Sequence, residues 1–295
     1  MGPDGIANVL VIGVNYGTDD EAIIFTKHLT DVNKHAQLNN VSLKIFVVDN
    51  TERSNNDNLY QKILQANSGV KYIKTPYNMG YFGGAKYGLK KYLRNNDLPD
   101  FVIVSNVDIY FKDRYFFESL IKYTDKAEII APSIWSYFSN RDQNPKILSR
   151  PNKYRMKFYK YCFSNYYLLN SYTVLSIIKS QIKNFYKFVS IIFKQKADEK
   201  KNSYETKNIY APQGCCIIFS KYYFKKGGTL DYPLFLFNEE VYVAETARKM
   251  GLKILYVPAL KVWHKDHAST GWIRTRKIAA FIAEAARFTA DTYFK

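Results

Sequence analysis

Cysteine is scarce in this chain of 295 residues. Of its three cysteines, Cys215 and Cys216 are adjacent in an apolar run and Cys162 stands alone. They form no CxxC pair and have no histidine at a zinc-ligand spacing, which argues against a disulfide scaffold and a zinc finger. We therefore expect buried, reduced thiols in a cytoplasmic protein.

Long apolar runs are also missing. The nearest candidate for a membrane-spanning helix, residues 161–178, carries no charge but is interrupted by six serine, threonine and asparagine residues. Residues 1–7 lack the basic and apolar regions of a secretory signal. A transmembrane helix needs about 20 predominantly apolar residues, so the sequence predicts neither a spanning helix nor a signal peptide.

Acidic residues are few relative to basic ones, 26 against 43, which gives a net charge of +17. Such an excess favours an anionic partner, whether nucleic acid, a membrane surface or a phosphorylated small molecule. The hydrophobic content of 47% excludes intrinsic disorder. The charge is concentrated, since residues 141–208 hold fifteen lysine or arginine residues against four acids, and thus +11 of the total.

Within this basic segment, apolar residues recur at helical intervals from Leu168 to Ile192, and Lys179, Lys183 and Lys187 line another face. The pattern predicts an amphipathic helix or helix pair. Three roles are consistent with it: contact of residues 154–196 with an anionic membrane surface, packing on its own domain, or a coiled-coil dimer seam. No nucleic-acid recognition motif is present, so nucleic acid is not an expected partner.

The rest of the chain alternates apolar runs with helix-like segments. We predict strands at residues 8–14, 43–48, 70–74 and 101–105 and helices at 19–33, 56–66 and 83–94. Further strands are predicted at 214–220, 252–257 and 260–264, and further helices at 239–250 and 276–293. In the first 130 residues, continuous valine- and isoleucine-rich strands separated by helices predict an α/β fold, with a parallel sheet covered on both faces.

Polar or glycine-rich segments follow three of these strands, where ligands bind in open α/β sheets. Asp49 at a strand end could accept a hydrogen bond from a ribose or a base, or simply cap a turn. The glycine-rich stretch from Asn78 to Gly88 leads into a helix N-terminus, which suits a phosphate or close helix packing. Asp108, helped by Asn106 or water, could hold a divalent cation on a diphosphate.

A fourth segment carries two adjacent carboxylates, Glu239 and Glu240, at the start of a predicted helix. One of them is a candidate general base whose pKa the other would influence. A pair of acids at this position could instead stabilise the helix dipole. His264, after the next strand, is a candidate metal or phosphate ligand.

Taken in order, these segments resemble the glycosyltransferases of the GT-A fold, specifically the large inverting family 2 and its rhamnosyltransferase-like branch. The resemblance covers residues 9–111 and 210–270, just over half of the chain. The matching segments are Asp49-Asn50, Asn78 through Gly88, Asn106 to Asp108, Gly214-Cys215, Phe237 to Tyr242, and His264.

The resemblance implies a Rossmann-like mixed sheet flanked by helices and the transfer of a hexosyl or deoxyhexosyl group from a nucleotide sugar, with Mg²⁺ or Mn²⁺ as cofactor. It implies that Glu240 is the catalytic base, with Glu239 before it, and that Asp108 holds the metal, with His264 as a further ligand. Asp49 would contact the base or ribose. The other donor-binding residues implied are Asn50, Asn78, Gly80, Gly84, Asn106 and Asp108.

With this resemblance, the chain divides into a nucleotide-sugar-binding half (residues 1–140), a basic helical insert (141–208), and an acceptor-side half with a C-terminal helix (209–295). The expected acceptor is a glycan or lipid-linked molecule in surface polysaccharide synthesis. The expected location is peripheral, at the inner face of the cell membrane.

The chain departs from the family pattern at three positions. Lys86 replaces an asparagine, Glu240 an aspartate, and Tyr242 the second aspartate of the same motif. These changes leave open an alternative, a catalytically degenerate transferase-like subunit that serves in membrane docking or assembly. The QxxRW motif of processive synthases is missing around Trp272, which favours the transfer of one sugar per encounter.

Overall fold

A computed structural model describes residues 5–37, 40–52, 61–63, 69–176, 178–179, 205–266 and 275–295. The chain forms two compact units. The first comprises Met1–Arg150 and Thr206–Thr270, and the second comprises Pro151–Glu205 and Gly271–Lys295. The three-part division predicted from the sequence stays a prediction.

The first unit contains a mixed sheet, whose strands are joined in the order β3-β2-β1-β4-β8-β6-β9-β5, with β7 beside β9. Strands β1 to β4 are parallel, β8 is antiparallel to both β4 and β6, and β6 and β9 are parallel. The strands are β1 (Ala7–Asn15), β2 (Val41–Asp49), β3 (Val70–Lys74), β4 (Phe101–Asn106), β5 (Ile109–Tyr110), β6 (Ile129–Ser136), β7 (Lys207–Asn208), β8 (Cys216–Ser220) and β9 (Ile254–His264).

The parallel sheet expected in the first 130 residues is therefore confirmed for β1 to β4. The later strands add antiparallel pairs, which makes the sheet mixed. Strand β8 runs against β4, with Ser105 opposite Cys216. This reversal places the residues before β8 beside the residues after β4. The mixed sheet with flanking helices that the family resemblance implies is confirmed.

Helices cover both faces of the sheet. In the first unit they are α1 (Asp19–Gln37), α2 (Gly80–Tyr92), α3 (Phe116–Ile121), α5 (Lys221–Lys225) and α6 (Glu239–Lys249). Alternate residues of β1 enter two separate cores, Val9 and Val11 on the side of α1, Leu10 and Ile12 on the side of α2. Because both faces are buried, these strands are apolar throughout. The helix predicted at residues 56–66 lies outside the described residues except for 61–63, which are helical.

The second unit contains α4 (Lys153–Cys162), helical residues 166–176, and α7 (Arg276–Tyr293). The side chain of Asn152 caps α4 by accepting from the Arg155 amide. Lys160 of α4 forms an ion pair with Asp291 of α7, 2.7 Å between Nζ and Oδ1. The part of the predicted amphipathic pattern that follows residue 179, with Lys183 and Lys187, lies outside the described residues.

The structure describes the length of the helices and the burial of the three cysteines. No helix within the described residues is long and apolar enough to cross a membrane. Cys215 and Cys216 are buried and free, as predicted. Cys162, the last residue of α4, is only partly buried, so the expectation of burial is wrong for that thiol.

Candidate functional site

The candidate site of the first unit forms where β4 ends and β8 begins. The Asn106 amide donates to the Cys215 carbonyl at 2.9 Å. The chain then turns at Asp108 into the short strand β5, where Ile109 pairs with His264 of β9. Three segments that are far apart in the sequence thus bring Asp108, Cys215 and His264 together.

Asp108 has one occupied and one free carboxylate oxygen. Its Oδ2 lies 3.4 Å from Nε2 of His264. Its Oδ1 is buried and has no hydrogen-bond partner among the residues that the structure describes. Buried side-chain polar atoms usually have a partner in native folds, so this oxygen is available to a ligand.

The other ring nitrogen of His264 is fixed by two groups. Nδ1 lies 2.8 Å from Oε1 of Gln143 and 3.0 Å from Oδ1 of Asp266. Burial opposes the charged imidazolium, but the neighbouring Cys215 and Asp108 outweigh burial and raise the pKa of His264 to about 11. The imidazole therefore holds its second proton at neutral pH, and it would have to release a proton before a ring nitrogen could ligate a metal.

These two residues satisfy part of what a divalent cation requires. Within the described ranges there is no group of three or more histidine, cysteine, aspartate and glutamate residues that could hold a metal alone. Mg²⁺ is commonly bound by one or two carboxylates, with substrate phosphates and waters as its other ligands. The free Oδ1 of Asp108 suits such a shared site, so the residues present fit a cation that arrives with a diphosphate.

The backbone before α6 is held in an uncommon conformation. Phe237 and Asn238 both have positive φ values, 71° and 64°, a region that costs a bulky residue free energy. The Tyr232 hydroxyl donates to the Phe237 carbonyl, and the Phe237 amide donates to Oε1 of Glu239 at 3.1 Å. This turn directs the first residues of α6, Glu239 and Glu240, into different environments.

Glu239 is 5% exposed. Burial, and secondarily the charge of Glu240, raise the pKa of Glu239 to about 8, so it holds its proton at neutral pH.

The Glu240 side chain is 16% exposed, and its Oε1 lies 3.9 Å from Nζ of Lys146. Its Oε2 lies 3.3 Å from the position that a Cβ on Gly214 would occupy. The absence of a side chain at Gly214 therefore leaves room for the Glu240 carboxylate.

The glycine-rich stretch packs α2 tightly against its neighbours. A Cβ on Gly84 would lie 2.6 Å from Nδ2 of Asn50, and one on Gly88 would lie 2.7 Å from Val48. Asn50 donates from Nδ2 to the Gly80 carbonyl at 2.7 Å, and Asn78 accepts from the Gly80 amide at 3.1 Å. Close helix packing, one of the two interpretations of the motif, is what the described contacts show. Phosphate binding stays a prediction.

Asp49 is fully buried at the end of β2. Oδ1 accepts from the Thr51 hydroxyl and amide and from Asn15, and Oδ2 accepts from Tyr72 at 2.7 Å and from Lys74 at 3.2 Å. Burial alone would raise the pKa of Asp49, but these donors outweigh burial and lower it. A nucleotide would contact this carboxylate only by displacing one of them.

Comparison with known protein families identifies the family of this chain. The family model described as "Glycosyl transferase family 2" matches residues 32–228, two thirds of the chain. The chain belongs to glycosyl transferase family 2. A comparison with curated proteins found no significant match.

Three solved structures are similar to this family 2 chain, and the first of them supports the fold. The crystal structure of GalNAc-T7 with UDP, GalNAc and Mn²⁺ matches at a TM-score of 0.54 and 11% identity, over 99% of this chain and 51% of that one. S. aureus TarS matches at a TM-score of 0.47 and 9% identity, over 88% of this chain and 37% of that one. The mannosyltransferase PcManGT from Pyrobaculum calidifontis with GDP-Man and Mn²⁺ matches at a TM-score of 0.46 and 12% identity, over 96% of this chain and 72% of that one. The chain thus spans about half the length of GalNAc-T7, and the fold is GT-A.

Two of the departures from the family 2 pattern contact the same loop. Lys86 forms an ion pair with Asp231, and the Tyr242 hydroxyl lies 3.0 Å from the Thr229 hydroxyl. Both side chains therefore have structural partners.

Other residues at this family 2 site carried no signal in the sequence. Gln143, Lys146 and Asp266 reach it through contacts between distant segments, and none belongs to a motif. Asp266 follows His264 by two residues, which is the one hint that spacing could have offered. Trp272, on which the expectation of single-sugar transfer rests, lies outside the described residues.

Proposed function

We propose that this family 2 glycosyltransferase takes a nucleotide sugar as donor and transfers one sugar per encounter, with inversion, to a hydroxyl of a glycan or lipid-linked acceptor. The observation that carries the proposal is a buried Asp108 oxygen that has no hydrogen-bond partner among the described residues. It belongs to the junction of β4 and β8, where Gly214 leaves room for the Glu240 carboxylate. Surface polysaccharide synthesis is the process that such an acceptor suggests.

Glu240 is the better general base of the two glutamates. In an inverting transfer the acceptor hydroxyl attacks the anomeric carbon opposite the leaving diphosphate, and a carboxylate accepts the hydroxyl proton. Glu239 cannot take this role at neutral pH because it already holds a proton. Glu240 is more accessible and lies against Gly214, where space is available.

A divalent cation, Mg²⁺ or Mn²⁺, would be held by Asp108. His264 would join as a second ligand only on releasing the proton that it holds without metal. When bound, the cation would stabilise the negative charge that develops on the leaving diphosphate. Gln143 and Asp266 would orient the imidazole from its other nitrogen. The structure of GalNAc-T7 contains UDP and Mn²⁺, which supports a metal-dependent donor site here.

The donor would lie along the strand ends between Asn50 and Asn106. The loop of Asn78, Gly80 and Gly84 would frame the diphosphate side, and Asp49 would hold the shape of the base pocket through its buried hydrogen bonds. Because the motif order resembles the rhamnosyltransferase-like branch, a deoxyhexose or hexose is the expected sugar.

The test is a panel of nucleotide sugars, each with Mn²⁺ or Mg²⁺, in which release of the nucleoside diphosphate is measured. We expect Glu240→Gln to lower the rate by about 10²-fold or more and Asp108→Ala to abolish the metal dependence. The exposed Glu284→Gln serves as the matched control. Release by both site variants at the wild-type rate would refute the site.

A second candidate function is a catalytically degenerate subunit for membrane docking or assembly. It is favoured by Lys86 and Tyr242, which replace family residues and are engaged in protein contacts. Calorimetry separates the two functions, because a degenerate subunit shows no metal-dependent heat on titration with a nucleoside diphosphate.

We also propose that the second unit docks on an anionic membrane at the inner face of the cell membrane, through residues 154–196. Large apolar side chains are exposed there, including Tyr154 at 72%, Tyr161 at 68% and Leu175 at 65%. Each clustered basic residue adds about 1 kcal/mol of attraction to anionic lipid. Deletion of residues 154–196 should abolish binding to anionic vesicles and leave nucleotide binding intact, and vesicle binding by the deletion variant would refute this role.

A further inference from the structure

The hydroxyl of Tyr81, the second residue of α2, is buried and has no hydrogen-bond partner among the described residues. The rest of its side chain is partly exposed. Most buried side-chain polar atoms in native folds have a partner, and a buried hydroxyl that lacks one destabilises the protein. A ligand that supplies the missing partner would explain why this tyrosine is present.

The start of α2 is fixed against the segment that leads to the two glutamates. A Cβ on Gly80 would lie 2.0 Å from the Phe235 carbonyl oxygen, and Asn50 holds the Gly80 carbonyl from the other side. The backbone that carries Tyr81 is therefore fixed beside the segment that leads to the glutamates.

The Tyr81 hydroxyl interacts electrostatically with Asp108 and with Glu239. Burial is the main cause that holds the pKa of the Tyr81 hydroxyl well above its usual range, and ionisation of Cys215, Cys216, Glu239 or Asp108 would act in the same direction. The hydroxyl thus keeps its proton and is available as a hydrogen-bond donor.

In an in-line transfer, the transferred sugar lies between the leaving diphosphate and the attacking hydroxyl. Asp108 belongs to the diphosphate side and the glutamate pair to the attacking side, so a donor group near both faces the sugar. We propose that the Tyr81 hydroxyl donates a hydrogen bond to an oxygen of the transferred sugar. This inference rests on the proposed function, and it makes Tyr81 a residue that distinguishes a nucleotide sugar from the free nucleotide.

The test compares wild type and Tyr81→Phe by calorimetry with Mn²⁺. One titrant is the free nucleoside diphosphate, and the other is the nucleotide sugar that wild type hydrolyses or transfers fastest. We expect the variant to bind the free diphosphate like wild type and to bind the nucleotide sugar roughly three- to tenfold more weakly. Its unfolding temperature without ligand should equal or exceed that of wild type, because an unpartnered hydroxyl has been removed.

Tyr223→Phe is the matched control. Tyr223 is also buried in the first unit, but its hydroxyl donates to the Thr229 carbonyl at 2.9 Å, so its removal should lower stability and leave both affinities unchanged. Unchanged affinity of Tyr81→Phe for the nucleotide sugar, an equal loss for both titrants, or a lower unfolding temperature would each overturn the role of Tyr81. Failure of wild type to bind either titrant would refute the proposed function itself.

Discussion

The carbonyl oxygen of Phe235 lies 2.0 Å from the position that a Cβ on Gly80 would occupy. No side chain fits there, and Gly80 also has a positive φ of 72°. The contact joins the start of α2 to the segment before α6, and so joins the glycine-rich motif to the two glutamates.

Gly80→Ala should therefore both destabilise the protein and weaken nucleotide binding. Gly17→Ala is the matched control, since Gly17 has a similar φ of 69° with nothing within 4 Å of its Cβ position. We expect the control to lose about 1 kcal/mol of unfolding free energy from backbone strain alone, and Gly80→Ala to lose clearly more. Urea unfolding measures both, and equal losses would show that the contact with Phe235 is unimportant.

Gly214→Ala tests the position of the general base. The added methyl group would lie 3.3 Å from Oε2 of Glu240, a contact that displaces the carboxylate by a few tenths of an ångström. Because small misplacements of catalytic groups slow enzymes strongly, we expect kcat to fall roughly three- to tenfold with little change in KM for the donor. Gly69→Ala, where the Cβ position is open, should leave the rate unchanged. A wild-type kcat for Gly214→Ala would argue against Glu240 as the base.

The parts of the fold that could be predicted are those that local patterns determine. Strand β3 and helix α7 have the predicted bounds. β-branched and aromatic residues mark the strand, and an amphipathic repeat marks the helix, without help from the rest of the chain. The direction of β8 could not be predicted, since it depends on which strand lies beside it.

Two prolines made strands β6 and β9 difficult to predict. Strand β6 contains Pro132 and was not predicted, and β9 was predicted as two strands separated at Pro258. A proline usually marks a sheet edge or a bulge. Here the pairing of β6 with β9 shifts between Pro132 and Ser133, from Val257 to Lys261, so a bulge at Pro258 lets one strand continue.

The same distinction holds for the site. Asp108, His264 and the glutamate pair lie in motifs, and the sequence could identify them as candidates. Gln143 owes its position to distant contacts. Tyr81 lies in the glycine-rich stretch, but the sequence could not show that its hydroxyl is buried without a described partner. The sequence could also not show that Asp49 is already surrounded by donors, because Tyr72 and Lys74 reach it from the neighbouring strand.

Glu239→Gln should change how stability depends on pH. The pKa of Glu239 rises from an ordinary value of 4.5 to about 8 on folding. Between these values the folded protein retains a proton that the unfolded chain has lost, so this group makes wild type less stable as pH rises through that window. The variant has no carboxyl group to titrate at this position. The difference in unfolding free energy between the variant and wild type should therefore grow in favour of the variant as pH rises to about 8. Parallel stability curves would contradict a protonated Glu239, and Glu284→Gln provides the control.

Glu245 gives the opposite pH dependence. It is fully buried in α6, and its carboxylate accepts from Arg150 at 2.7 Å, from Tyr210 at 2.8 Å and from Arg248 at 2.9 Å. Burial alone would raise the pKa of Glu245, but these three donors outweigh burial and lower it below 4.5. The stability that the ionised carboxylate contributes is therefore present above that value and is lost as pH falls through the lower pKa of the folded state.

Glu245→Gln keeps the shape and one acceptor but removes the charge. At neutral pH we expect a loss of about 1–2 kcal/mol in unfolding free energy, because hydrogen bonds to a charged group are replaced by neutral ones. The difference from wild type should shrink in acid, where wild type also loses its charge. Asp31→Asn is the control, since the ion pair of Asp31 with Lys34 is 74% exposed on both sides and should contribute under about 1 kcal/mol. Urea unfolding across the acid range measures both, and a difference that stays constant down to the lowest pH would show that ionisation of Glu245 does not stabilise α6.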